Sequence, residues 1–216
     1  MRPIISIVGK SKSGKTTLLE SLIVELKQRG YKVAVIKHAG DNFEMDKKDK
    51  DSWRFTQAGS DVVAISSADK VAIIKQTEND LSPRELSRFI GWDYDLILTE
   101  GFKKSNALKI EVHRQTQGNE LLCSAQELLA VVTDEPLDID VPQVPGENVQ
   151  ELADLIEKKI KTQLEGEDVE LSVNDMHIPI NPFIRDLLSR ILVAMVSSLK
   201  GVKEIRSLRI SLRRKP

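Results

Sequence analysis

The sequence is nearly devoid of cysteine: Cys123 is the one thiol in 216 residues, so an internal disulfide framework is excluded. The three histidines, His38, His113 and His177, lie too far apart in sequence to build a zinc motif around that thiol, and a reducing cytoplasm is the expected compartment. An excess of either charge is also missing. Charged residues make up 30 % of the chain yet nearly cancel to -1, which gives no whole-molecule field for nucleic acid, and the basic ending "SLRRKP" is too short to supply one. Long apolar runs are absent too. None reaches the roughly 20 residues that span a bilayer, and "LLSRILVAMVSSL", broken by Arg190 and serines, is expected to be a buried helix. The N-terminus lacks the charged-then-apolar pattern of a signal peptide. The length suits one α/β domain with an appendage, or two small domains.

What the sequence does contain is an alternation of short β-branched runs with helical patterns. Ile4 to Val8 has no polar alternation and is expected to be a central strand covered on both faces. Leu18, Leu19, Leu22, Ile23 and Leu26 then recur at helical spacing up to Gly30, which predicts a helix from Thr16 to about Arg29. Lys32 to Lys37 is the second strand, and strand, helix, strand in this order make a right-handed crossover in a parallel sheet. The polar segment "HAGDNFEMDKKDKDS" is long for a plain connection and is read as functional. "SWRFTQAG" predicts a short helix, "DVVAISSADKVAIIK" two strands about a turn, and Ser82-Pro83 with Glu85 a capped helix that stops at Gly91. "YDLILTEGF", "LKIEVH" and "LLAVVTD" supply three more strands, the last expected to complete the set, and "PGENVQELADLIEKKI" a helix capped by Asn148. The expected fold is therefore α/β, a doubly wound, mostly parallel sheet of the P-loop NTPase type over residues 1–161. A linker over 162–168 and a small α+β extension over 169–216 follow: a hairpin about Asn174-Asp175, a helix, and an alternating strand in "IRSLRISL".

The stretch "SIVGKSKSGKTTLLESL" carries the chemistry. Gly9, Gly14, Lys15 and Thr16 fit G-x-x-x-x-G-K-[ST], the Walker A loop, in its required place between a buried strand and a helix. Its glycines let successive N–H groups turn around phosphate oxygens, Lys15 neutralises the β and γ phosphates, and the Thr16 hydroxyl binds Mg²⁺. The nucleotide cradle is accordingly Gly9, Lys10, Ser11, Lys12, Ser13, Gly14, Lys15, Thr16 and Thr17, with the positive end of the helix dipole beneath it. Lys12 reads as a solvated charge. Lys10 stands where one branch of P-loop proteins carries a lysine that crosses a dimer interface. A metal-bound triphosphate also calls for an acid at the end of a neighbouring strand, and Glu100 holds that position, with Gly101 behind it. Asp95, at the other end of the strand, reads as structural, as do His38, His113 and His177; Cys123 reads as a small apolar residue.

With "GKSKSGKTTLLESL", "VAVIKH", "DKKDKDSWRFTQAGSD", "DLILTEGFKK", "KIEVHR" and "PGENVQELADLI" in order, the first ~160 residues resemble the molybdopterin-guanine dinucleotide biosynthesis protein B family, MobB. The resemblance implies a SIMIBI-class P-loop fold and GTP and Mg²⁺ binding with weak hydrolysis. It also implies a homodimer and service to the nucleotidyltransferase that attaches GMP to molybdopterin. Carried over by residue, it makes Lys15 and Glu100 the catalytic pair. It places Asp46 and Asp51, in the acidic segment after the second strand, near the metal with Thr16 and Glu100. The family has glycine where this chain has Asp49. Gly101-Phe102-Lys103 and Lys109 to Arg114 match family stretches too, and Arg114 is a candidate contact for an anionic ligand. Asp134, after the strand "AVVT", stands where related GTPases read guanine, able to accept from N1 and the 2-amino group, although N-K-x-D is not spelled here.

Three function classes are consistent with these residues. The first is a GTP-binding accessory protein in molybdenum-cofactor maturation. The second is a P-loop small-molecule kinase or ATP-dependent ligase, which usually closes arginines over the phosphates; residues 38–52 contain none. The third is a scaffold that keeps its P-loop for stability alone. The extension lies outside the resemblance, and it is expected either to pack on the P-loop domain or to pair with a second copy through Leu187, Ile191, Val193, Met195 and Leu199.

Overall fold

The computed structural model describes residues 2–40, 43, 47–91, 93–118, 120–164, 169, 171–174, 176–205, 208 and 210. Strand β1 (Ile4–Gly9) leads through the glycine-rich loop to helix α1 (Lys15–Gln28), and β2 (Val33–Lys37) follows. Helix α2 (Asp51–Gln57), the hairpin β3 (Val62–Ser66) and β4 (Val71–Lys75), and helix α3 (Pro83–Ile90) come next. Strands β5 (Leu96–Glu100), β6 (Leu108–Val112), β7 (Leu128–Val132) and β8 (Gln143–Val144) then precede helix α4 (Val149–Leu164). The last elements are β9 (Leu171–Val173), β10 (Met176–Ile178) and α5 (Pro182–Ser197).

Six strands form one parallel sheet in the order β2-β5-β1-β6-β7-β8. The α/β fold is thus the doubly wound one expected, with β1 inside the sheet. Sequence reasoning ended the sheet at β7; the structure adds β8, whose two residues are too few for any hydrophobic period to mark them. The hairpin β3–β4 forms a separate antiparallel pair.

Register explains where the core lies. Ile5 and Ile7 stand beside Leu108 and Ile110, and all but the half-buried Leu108 are fully buried, while α1 packs on β1, β2 and β5. The opposite face of β1 and β6 is mixed: Ser6 stands beside Lys109 and Val8 beside Glu111. Those two charged residues are buried yet satisfied. Lys109 Nζ donates to Glu127 Oε1 at 2.8 Å and to the Ser105 carbonyl at 2.7 Å. Glu111 accepts the N–H groups of Leu122 and Cys123 at 2.7 and 3.0 Å. Together they anchor the segment between β6 and β7, above a cluster of Val8, Cys123, Leu128, Val131 and Val141.

The helix caps match the sequence. Ser82 Oγ and Glu85 exchange bonds with each other's backbone N–H at 3.3 and 2.8 Å, and Asn148 accepts from Glu151 N–H at 3.3 Å. Asp95 is structural as expected, accepting Lys32 N–H at 2.7 Å.

By contacts the chain divides into two compact units, Pro3–Glu157 and Lys158–Pro216 with the first two residues, the break falling inside α4. Helix α4 runs to Leu164, into the stretch read as linker. In the second unit, β9 and β10 pair about Asn174, which has a left-handed φ of 51°. The expectation that "LLSRILVAMVSSL" is a buried helix is corrected. It is helical, but Ser189 is its one buried residue, and Phe183, Leu187, Ile191 and Met195, four apart, form an exposed stripe. Of the strand expected over 205–212, the described residues Ile205, Leu208 and Ile210 carry none, and the remainder, like the basic ending, lies outside the described residues. Among the described residues no helix is long and apolar enough to cross a membrane.

Candidate nucleotide site

The phosphate loop has the backbone its sequence calls for. Gly9 has φ 152°, Lys12 62° and Gly14 96°, so the chain turns left-handed three times between β1 and α1. A side chain cannot replace Gly9, because its Cβ would lie 2.5 Å from the Val112 carbonyl oxygen and 2.7 Å from Ser13 Oγ. Gly14 caps α1 with no side-chain acceptor for the first-turn N–H groups among the described residues, and no acid occupies that turn. Those donors and the helix dipole therefore stay available to an anion, which is what a triphosphate needs.

Two side chains complete the mouth of the loop. Lys15 Nζ arches back to donate to the Lys10 carbonyl at 2.6 Å. Its pKa is lowered, chiefly by burial and then by the neighbouring Lys103 and Lys37, against the pull of Glu100. Thr16 Oγ1 donates to Glu100 Oε1 at 3.2 Å, although 84 positions separate them. A hydroxyl and a carboxylate side by side at a phosphate cradle fit Mg²⁺, which takes one or two protein oxygens and completes its octahedron with phosphate and water. Bound there, the ion would neutralise phosphate charge. Lys37, paired in register with Glu100, holds its ammonium 3.5 Å from Glu100 Oε2; nothing in the sequence had singled it out.

The other predicted residues are distributed unevenly. Asp46 lies outside the described residues. Asp51 opens α2 and sits 3.8 Å from Arg54 Nη1, both exposed. Among the described residues no three His, Cys, Asp or Glu side chains converge, and of the residues expected near a metal the structure brings together Thr16 and Glu100. Asp49 adopts φ 68°, the conformation a glycine would take there at no cost. His38 makes a 3.0 Å bond to Asp80 and an edge contact with the Phe102 ring. Ser13 and His113 are buried, and Ser13 Oγ and His113 Nε2 have no partner among the described residues. Cys123 is buried as an apolar residue, and burial, with Glu111 second, pushes its thiol up to about 11.

Lys10 Nζ donates to the Gln117 carbonyl at 2.5 Å. Asp134, two residues past the end of β7, accepts Gln115 N–H at 3.4 Å, with Arg114 Nη1 3.9 Å from its other oxygen. Arg114 Nε also donates to the Ser13 carbonyl at 3.2 Å, so the candidate base reader and the phosphate loop share a neighbour.

Residues 4–134 match the family Molybdopterin guanine dinucleotide synthesis protein B, MobB. The chain belongs to the MobB family. It is 42 % identical to the molybdopterin-guanine dinucleotide biosynthesis adapter protein of Haemophilus influenzae over 156 residues, 72 % of this chain and 88 % of that one. The adapter protein of the same name from Escherichia coli is 34 % identical over 168 residues, 76 % of this chain and 96 % of the relative. A crystal structure of molybdopterin-guanine biosynthesis protein B superposes with a TM-score of 0.53 at 32 % identity, covering 73 % of this chain and 99 % of the other. The match begins at β1 and ends at Asp134, so the phosphate loop, Glu100 and Arg114 all fall within the MobB segment.

Proposed function

We propose that this chain is a GTP-binding adapter in molybdopterin guanine dinucleotide synthesis. In this reading it is a slow Mg²⁺-dependent GTPase, a homodimer, and an accessory to the nucleotidyltransferase that attaches GMP to molybdopterin. The observation that carries this reading is the meeting of Thr16 and Glu100 at 3.2 Å over a Walker A loop, in a chain of the MobB family. The named role of its relatives as adapter proteins supports the accessory function.

In this reading the N–H groups at the start of α1 hold the phosphates, and Lys15 leaves the Lys10 carbonyl to neutralise them. Thr16 and Glu100 hold the metal, and Glu100 orders a water near the γ-phosphate. Asp134 reads the guanine edge. Turnover is slow because the segment 38–52 contributes no arginine to the γ-phosphate. Support for the homodimer comes from the hairpin: Val62, Ala64 and Ser66 share one face with Ile73, Val71 and Lys75, and all six are exposed. An isolated two-stranded pair is marginal in water, and a second copy would cover it.

Competitive titration of the purified chain with GTP and ATP, with and without Mg²⁺, tests the proposal. A Mg²⁺-dependent preference for GTP is expected. Equal or ATP-favouring binding would sink it and move the assignment to a P-loop kinase or ligase.

A further inference from the structure

The turn after β6, residues 114–118, is tied to the phosphate loop and to the candidate base reader at once. Toward the phosphate loop, Arg114 Nε donates to the Ser13 carbonyl at 3.2 Å and Gln117 Nε2 to the Ser11 carbonyl at 2.8 Å. Lys10 Nζ returns a bond to the Gln117 carbonyl at 2.5 Å. A phosphate cradle works when its N–H groups face the anion. A strap that engages the Ser11 and Ser13 carbonyls leaves the N–H side of the loop to the ligand.

Toward the base side, Gln115 N–H reaches Asp134 Oδ1 at 3.4 Å and Arg114 Nη1 stands 3.9 Å from Oδ2. The Arg114 guanidinium is confined by two glycines: Nη2 lies 3.6 Å from where a Cβ on Gly14 would be and 3.3 Å from one on Gly146. One side chain thus touches the phosphate loop, the acid after β7 and the turn before α4. The residues just before Asp134 are not free for this task. Val132 is apolar and buried, and the Thr133 hydroxyl is spent on the Glu135 carbonyl at 2.8 Å.

We propose that Arg114 is a positioning residue that fixes the Asp134 carboxylate relative to the phosphate loop, and so sets the discrimination between guanine and adenine nucleotides. The inference rests on the GTP reading above. It assigns to an arginine in the turn after the neighbouring strand the bracing that the missing N-K-x-D spelling leaves open. Asp134 touches the base; Arg114 acts through Asp134, by charge and by a planar group held between two glycines.

The test is calorimetric titration of the full chain with GTP, ATP and inorganic triphosphate, each with Mg²⁺, comparing the native protein with Arg114→Gln, Gly146→Ala and Asp134→Asn. Gly146→Ala leaves Arg114 in place and pushes only its guanidinium, so it carries the test should Arg114→Gln fail to fold. Arg114→Gln is expected to lower GTP affinity about fivefold, the upper worth of a partly exposed ion pair, and triphosphate affinity less than about twofold. The GTP:ATP ratio should fall toward one, and Gly146→Ala should move it the same way by less. Equal losses for all three ligands would reduce Arg114 to a prop of the phosphate loop and overturn the proposal. An unchanged GTP:ATP ratio would overturn it as well. If the native protein prefers GTP and only Asp134→Asn abolishes that preference, the inference alone falls. If the native protein has no preference, the guanine reading falls and takes the inference with it.

Discussion

Burial lowers the Lys15 pKa most, Glu100 opposes it, and the neighbouring Lys103 and Lys37 add their own sign to the lowering. A triphosphate supplies the negative charge this cluster lacks, so much of the binding energy should pass through this ammonium. Lys15→Ala is expected to lower GTP affinity about a hundredfold, from the about 2–3 kcal/mol that a hydrogen bond to a charged group contributes. Affinity kept within a few fold in titration calorimetry would remove Lys15 from the site. Gly9 is the steric counterpart. A methyl group 2.5 Å from the Val112 carbonyl must move either β6 or the loop, so Gly9→Ala should cost about 1–3 kcal/mol in denaturant unfolding and abolish binding. These residues were legible in the sequence because a Walker A loop is contiguous and each of its roles is local. Glu100 was legible by its place at a strand end. Lys37, Gln117 and Gly146 were not: Lys37 meets Glu100 by register, Gln117 meets Ser11 and Gly146 meets Arg114 from distant segments, and no period or spacing in one sequence encodes such a meeting. Arg114 lay between the two: its type suggested an anion, and its contacts turned out to be a carbonyl and an acid.

Among the elements, β6 bears the greatest electrostatic load, with Lys109 and Glu111 on one buried face. The strand "LKIEVH" alternates apolar with charged residues, a pattern usual where one face meets solvent. The structure buries them because Glu127, Ser105 and the 122–123 backbone are brought over that face. The same segment carries the turn that holds the phosphate loop, so the Lys109–Glu127 pair bears on the site as well as on stability. Bonding to Lys109, with Ser124 second, lowers the Glu127 pKa from its ordinary 4.5 to about 2. A carboxyl depressed on folding stabilises the folded state above its unfolded pKa, and that contribution is lost as pH falls through the folded value. Native stability should therefore decline between pH 4.5 and about 2 in part through this group. Glu127→Gln should be less stable at pH 7, with a shallower decline across that window when thermal midpoints are compared. A parallel decline in both proteins would show that the pair contributes nothing. The capped starts of α3 and α4 were legible, since a cap is local chemistry, while the end of α4 ran past its expected place. Helix α5 was legible as a helix but misjudged for burial, because an apolar stripe specifies a face to be covered and not what covers it.

On the scale of the whole molecule, two apolar surfaces offer routes to the proposed dimer, and they lie in different units. One is the exposed face of β3–β4 with Val62, Val71 and Ile73, in the unit Pro3–Glu157; the other is the α5 stripe, in the unit that includes Lys158–Pro216. The Haemophilus influenzae relative matches 72 % of this chain with 88 % of its own length, so the shared part is the size of the first unit rather than of both. A homodimer common to the family should then form through the hairpin, whose two strands pair with no third strand among the described residues and leave one face uncovered. Ile73→Lys places a charge in the middle of that face at a position already 53 % exposed, which leaves the fold of the monomer nearly untouched. Light scattering on the native chain, on Ile73→Lys and on a chain ending at Leu164 separates the two routes. Pairing through the hairpin predicts that the shortened chain remains a dimer and that Ile73→Lys is a monomer with nucleotide affinity within about threefold of native. Pairing through α5 predicts the reverse, a monomeric short chain and a dimeric Ile73→Lys, and would reassign the dimer to the extension. A native chain that is monomeric at micromolar concentration would remove the homodimer from the proposed function while leaving the Thr16–Glu100 site as it stands.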